Sequence, residues 1–170
     1  AVLKDLGKLK DAETSARKAI ELKPNLFQAH YTLGLILKDL GKLKEAEISL
    51  RKAIELDPEL ASAHYNLGII LKEIGQIKDA KISILRAISI KPSAVSYFAY
   101  ASCLYAENEF ESSLEYLYKS KELVDDKSYL KIIEASILIT ISAKKILFNH
   151  DKVNIKSKLF DKRIDRLIIN

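Results

Sequence analysis

The side chains suited to chemistry at neutral pH are few: three histidines and one cysteine, among scattered carboxylates and amines, in 170 residues. His30 and His64 lie 34 residues apart inside matching strings, His30-Tyr31-Thr32-Leu33-Gly34 and His64-Tyr65-Asn66-Leu67-Gly68. A histidine that recurs with a repeating unit serves packing common to the units rather than one reacting centre. His150 stands alone in a segment that reads as a turn, with only Asp151 as a close acidic neighbour in sequence. Cys103 has no second cysteine for a disulfide or a metal cluster, which suits a reducing cytoplasm. No His-Glu-x-x-His, glycine-rich phosphate loop or Gly-x-Ser-x-Gly occurs. Carboxylates such as Glu13, Glu45 and Glu47 read as solvated faces. The expectation is no catalytic centre, no metal, no cofactor and no enzymatic activity of the chain itself.

Charge narrows the partner classes. The net charge of +5 is carried by residues 126–170, with 10 basic against 5 acidic side chains; residues 1–125 balance at 18 each. Lys152, Lys156, Lys158, Lys162, Arg163 and Arg166 form a basic stretch that Asp151, Asp161 and Asp165 dilute. A solvated helix face accounts for it better than a nucleic-acid or membrane contact does, so nucleic acid is not an expected partner. The apolar stretch from Ala135 to Ala143 is interrupted by Ser136, Thr140 and Ser142. It falls far short of the ~18 residues needed to span a bilayer. No signal-peptide pattern opens the sequence, and a cytoplasmic location is expected. The start at Ala1, with no Met, reads as the middle of a helix and hence as a fragment of a longer protein.

The elements that position these residues repeat. Gly7, Gly41 and Gly75 are 34 residues apart, as are Pro24, Pro58 and Pro92, and residues 3–24 match 37–58 at 18 of 22 positions. With 5 Gly and 3 Pro among helix-forming Leu, Ile, Ala, Lys and Glu, the chain reads as all-α. Each unit predicts two antiparallel helices. The first runs from about Leu26 to Leu40 and is stopped by Gly41; the second runs from about Leu43 to Leu56 before Asp57-Pro58. The next unit gives Leu60 to Ile74, a stop at Gly75, and Ile77 to Ile90. Gly7 is read as a stop of the same kind. His30, Leu33, Gly34 and Leu37 share one face, and Gly34 and Gly68 permit close approach to Ala46 and Ala80. A pair this small cannot bury its apolar face alone, so stacking of pairs makes the core.

These residues resemble the tetratricopeptide repeat family closely over residues 1–125. The family's large–Leu-Gly–large–Ala–bulky–Ala–Pro pattern falls on His30, Leu33, Gly34, Leu37, Ala46, Leu50, Ala53 and Pro58. It falls again on His64, Leu67, Gly68, Leu71, Ala80, Ile84, Ala87 and Pro92. The resemblance implies a right-handed α-solenoid of stacked antiparallel helix pairs with C-terminal capping helices. Its array is 1–125, divided into a partial 1–26, then 27–60, 61–93 and a degenerate 94–125. In the last unit Ala101 replaces the helix-contact glycine and Asn108 the turn glycine. Residues 126–170 form a capping helix and a basic amphipathic segment. The cap is expected over Lys127 to Phe148, docked through Ile132, Ile133, Ala135, Ser136, Ile139 and Ala143, and broken at Asn149-His150-Asp151.

The stripe opposite the core face locates the expected site. It comprises Gln28, Tyr31, Leu35 and Lys38, then Ser62, Tyr65, Asn66, Ile69 and Lys72, then Phe98, Ser102 and Tyr105. In the resembled family these positions line a concave groove that holds extended or helical peptides. Tyr31, Tyr65 and Phe98 would form an aromatic row offering contact area at low entropic cost. The alternative, that Tyr31 and Tyr65 only pack between neighbouring helices, stays open. Asn66 offers a donor and an acceptor to a peptide backbone. A carboxylate clamp of the kind some family members use is disfavoured, since Tyr31, Leu35 and Tyr65 stand where cations are needed. The implied function is a protein–protein interaction scaffold that binds a protein or peptide. The alternative is the partner-recruiting N-terminal region of a larger enzyme, such as a glycosyltransferase, methyltransferase or iron-dependent oxygenase. The oligomeric state is open.

Overall fold

The computed structural model describes the backbone of residues 2–168 and the side chains of residues 7–148. Eight helices follow one another, with no strand among the described residues: α1 Val2–Leu22, α2 Phe27–Asp39, α3 Leu43–Leu56, α4 Ala61–Glu73, α5 Ile77–Ile90, α6 Ala94–Ala106, α7 Phe110–Glu122 and α8 Lys127–Ile168. Each helix packs chiefly on its neighbours in sequence, the strongest pairings being α2 with α3, α4 with α5 and α6 with α7. The result is an all-α solenoid whose contacts are local along the chain.

Each hairpin turn has one stereochemical solution. Gly41 and Gly75 adopt φ of +73° and +83°, and Asn108 takes the same left-handed conformation at 62°. The amide of Lys42 donates to the carbonyl of Leu37 at 2.8 Å, Gln76 to Leu71 at 2.8 Å and Glu109 to Leu104 at 2.9 Å. The amides of Gly41, Gly75 and Asn108 donate to Lys38, Lys72 and Tyr105. This paired closure uses helix-end carbonyls that would otherwise be orphaned, and it requires a left-handed residue at its centre. Gly7 differs from its counterparts. It lies within continuous α1, and a Cβ added there would meet nothing within 4 Å. Among the glycines only Gly41 and Gly75 take a positive φ, and at Gly7 the intrahelical bonding of α1 continues. Gly75→Ala is therefore expected to lower stability by about 1 kcal/mol. Gly7→Ala is expected to raise it by up to ~1 kcal/mol. Paired urea titrations of the two variants check the opposite signs.

Where one unit meets the next, histidine has a structural task. His64 Nε2 lies 3.0 Å from the carbonyl oxygen of Pro58, and His30 Nε2 lies 2.8 Å from that of Pro24. A carbonyl only accepts, so both rings carry their proton on Nε2 and tie a leading helix to the turn before it.

The core divides at α6. One cluster runs from Ala16 in α1 through Leu33, Leu37, Leu50, Leu67, Ile70, Leu71 and Ile84 to Ala99 and Cys103. A second joins Ala101, Leu117, Ile133 and Ile137. Gly34 and Gly68 mark the close helix crossings. A Cβ at Gly34 would lie 2.7 Å from Leu50 Cγ, and one at Gly68 would crowd Ile84 Cγ1 and sit 3.2 Å from the Ala80 carbonyl oxygen. The α6–α7 pair uses a different solution: Ser113 Oγ donates to the Ala101 carbonyl at 2.9 Å, and Ser120 Oγ to that of Ala94 at 2.8 Å.

Two expectations for the C-terminal segment need correction. No break occurs at Asn149-His150-Asp151, because the backbone of α8 is helical without interruption over 42 residues. Residues 127–170 contain neither Gly nor Pro. Asn, His and Asp each cost only a few tenths of a kcal/mol, or somewhat more, in a helix. The side chains of the basic stretch 152–166 lie outside the described residues. The docking face also differs: Ile133, Ile137 and Thr140 are buried, whereas Ile132 and Ile139 are 52% and 57% exposed. Asp126 caps α8, its Oδ1 accepting from the amides of Ser128 and Tyr129 at 2.6 and 3.0 Å. These bonds hold its carboxyl below the usual range, the Tyr129 amide contributing most.

Counted from its first residue, α8 can be set beside the leading helices α2, α4 and α6. Its eighth residue is Glu134, where α2, α4 and α6 place Gly34, Gly68 and Ala101. Glu134 is exposed and pairs with Lys121 of α7 at 2.8 Å.

Candidate functional site

The leading helices α2, α4 and α6 carry the stripe opposite the core, and consecutive leading helices touch along it. Gln28 and Tyr105 are exposed, while Tyr31, Leu35, Lys38, Ser62, Tyr65, Asn66, Ile69, Lys72, Phe98 and Ser102 are half-buried. Asn66 Nδ2 donates to the Ser62 carbonyl at 2.8 Å and to Tyr31 Oη at 3.3 Å, joining α4 to α2. Lys72 Nζ donates to Ser102 Oγ at 2.8 Å, joining α4 to α6. Ser102 Oγ in turn donates to the Ala99 carbonyl at 2.7 Å. Lys38 lies 3.9 Å from the carboxylate of Asp39.

The aromatic row is not a ring-on-ring ladder. Among the described residues no ring pair links Tyr31, Tyr65 and Phe98; Phe98 instead meets Tyr129 of α8 with centroids 5.8 Å apart. Tyr31, Tyr65 and Ile69 pack against the first core cluster and Phe98 against the second, so part of each side chain is structural. Burial pushes the Tyr65 phenol above its ordinary pKa. Tyr129 is pushed up to about 12 by burial and then by the nearby Tyr65. Both hydroxyls stay protonated across the physiological range and present a neutral donor and acceptor.

At the α6 end the stripe opens into a hollow of about 150 Å³. Its wall comprises Phe98, Ala101, Ser102 and Tyr105 of α6, Ser113 and Leu117 of α7, and Ser136, Ile139 and Thr140 of α8. Three stripe residues, Phe98, Ser102 and Tyr105, thus converge on one feature, whereas Gln28, Leu35 and Lys38 lie away from it at the other end. Sequence reasoning placed Ser136 and Ile139 on a docking face and did not assign the α8 side of this wall to the site. Tyr129 gave no signal, because its position facing Phe98 depends on how α8 docks.

A tetratricopeptide repeat profile matches residues 2–26 and 61–93, and a second TPR repeat profile matches residues 34–75. The chain belongs to the tetratricopeptide repeat family. Solved structures share the TPR architecture. MamA aligns over 84% of this chain and 82% of its own at 24% identity, with a TM-score of 0.76. YrrB, described as a TPR protein with an unusual peptide-binding site, aligns over 85% of this chain and 73% of its own at 23% identity and a TM-score of 0.70. The type III secretion translocator chaperone SycD of Yersinia enterocolitica aligns over 69% and 85% at 19% identity and a TM-score of 0.67. At these identities the likeness establishes the TPR fold. No curated protein matches the chain in sequence. Among the described residues, no helix of this TPR chain is long and apolar enough to cross a membrane.

Proposed function

We propose that this protein is a protein-interaction scaffold that holds a peptide segment against the leading-helix face of α2, α4 and α6. The observation that carries the reading is the half-exposed stripe of Tyr31, Leu35, Tyr65, Ile69 and Phe98. It is crossed by the polar groups of Asn66 and Lys72 and ends in an open hollow. Aromatic surface supplies contact area, and the amide and ammonium supply directional bonds to a peptide backbone or side chain. The TPR relatives support the same reading, since one is described by its peptide-binding site and another as a chaperone of a secreted translocator.

The test compares faces. Immobilised wild-type chain is used to capture polypeptides from a lysate. Tyr65→Ala with Asn66→Ala, and separately Lys72→Glu, are expected to reduce captured species by about tenfold or more, the range of a lost interface anchor. Ile82→Glu alters α5 at a side chain already 67% exposed and is expected to leave capture intact. Circular dichroism confirms that each variant is folded. Undiminished capture by both stripe variants refutes the assignment.

A further inference from the structure

The wall of the hollow can be read by comparing helices. The tenth residue of α4 is Ile70, of α6 Cys103 and of α8 Ser136. Ile70 and Cys103 are fully buried in the first core cluster. Ser136 is only half-buried and lines the hollow instead. Ser136 thus puts a small side chain on the wall of the hollow at a position that α4 and α6 give to fully buried residues.

The chemistry of the wall selects what enters. Phe98, Ala101, Leu117 and Ile139 are apolar, and every wall hydroxyl of Ser or Thr already donates to a backbone carbonyl. Ser102 donates to Ala99, Ser113 to Ala101, Ser136 to Ile132 and Thr140 to Ser136, all between 2.7 and 2.9 Å. No unspent donor from these hydroxyls remains to hold a charge. The volume of about 150 Å³ matches that of an apolar cavity able to take a benzene-sized group. Beside the wall, Lys72 bonds Ser102 and makes no ion pair among the described residues. A half-buried ammonium whose hydrogen bond goes to a neutral hydroxyl is poised for a carboxylate, which gives the stronger, charge-assisted bond.

We propose that the hollow receives a bulky aliphatic or phenyl side chain of a bound peptide, while a carboxylate a few residues away on that peptide meets Lys72. The assignment rests on the leading-helix face being a peptide site, and it adds the residue class that anchors there. Ser136→Ile places in α8 the residue that the chain itself uses at this position in α4. It is expected to plug the hollow without loss of helicity.

Random twelve-residue peptides displayed on phage are selected against the full chain. Affinities of the recovered peptides are then measured by fluorescence anisotropy for wild type, Ser136→Ile, Lys72→Met and Ile82→Glu. The peptides are expected to share one Leu, Ile or Phe with an Asp or Glu close by. Replacing that apolar residue by alanine in the peptide is expected to weaken binding to the unaltered protein by about tenfold or more. Ser136→Ile matches that loss, Lys72→Met costs less, and Ile82→Glu costs nothing. Peptides that bind Ser136→Ile and wild type equally, or that tolerate alanine at every apolar position, overturn the hollow while leaving the peptide face standing. Recovery of no peptide removes both. Self-association in sedimentation runs that Ser136→Ile abolishes would assign the hollow to a second copy of the chain and overturn the proposal.

Discussion

Gly68→Ala is expected to destabilise the protein by about 2 kcal/mol, the range of an overpacked core, even though alanine favours the helix itself. The new methyl would crowd Ile84 Cγ1 and sit 3.2 Å from the Ala80 carbonyl oxygen, which belongs to the backbone of α5 and yields little. Ile84→Ala alone is expected to cost about 3 kcal/mol, because a fully buried side chain leaves a cavity between α4 and α5. The double variant should be more stable than the sum of the two losses by about 1 kcal/mol or more, since truncation removes the atom the methyl strikes. Urea titration of the four proteins measures the coupling. Strict additivity would mean that the α4–α5 crossing is looser than described.

Ile133→Asp is expected to cost about 3 kcal/mol or more, by placing an unpaired carboxylate at a position with no solvent exposure. The loss should be regional. Ile133 belongs to the second cluster, with Ala101, Leu117 and Ile137, while α2 to α5 are held by the first. In a solenoid with nearest-neighbour coupling, amide exchange should accelerate in α7 and α8 while α3, α4 and α5 keep their protection. Uniform acceleration through all helices would show that the stack behaves as one globular core.

The parts legible in the sequence were those written in punctuation. Gly41, Gly75 and the Asp57-Pro58 corner set the helix ends because positive φ and the missing proline amide act on the residue itself. Asn108 could be recognised as a turn residue for the same reason. Gly7 shares the local signal, but its turn needs a partner helix, and that information is not local. The break expected at Asn149 failed because weak helix formers, unlike Gly or Pro, do not end a helix. The stripe was legible from the period of 3.6 residues. Its internal bonds were not: Asn66 to Tyr31 and Lys72 to Ser102 depend on the offset between successive leading helices. The hollow required the register of α8 against α6 and α7. Seen alone, Ser136 is one serine in an apolar helix; only beside Ile70 and Cys103 does its small size acquire meaning.

The central claim is that hairpins closed at their Gly34 and Gly68 crossings stack side by side and leave the leading-helix face available to a second polypeptide. Hydrogen–deuterium exchange of the chain with and without the tightest selected peptide addresses it most directly. Added protection is predicted in α4, α6 and the α8 segment around Ser136 to Thr140, with α3 and α5 unchanged. Protection confined to α3 and α5, with the leading helices unaffected, would contradict the account.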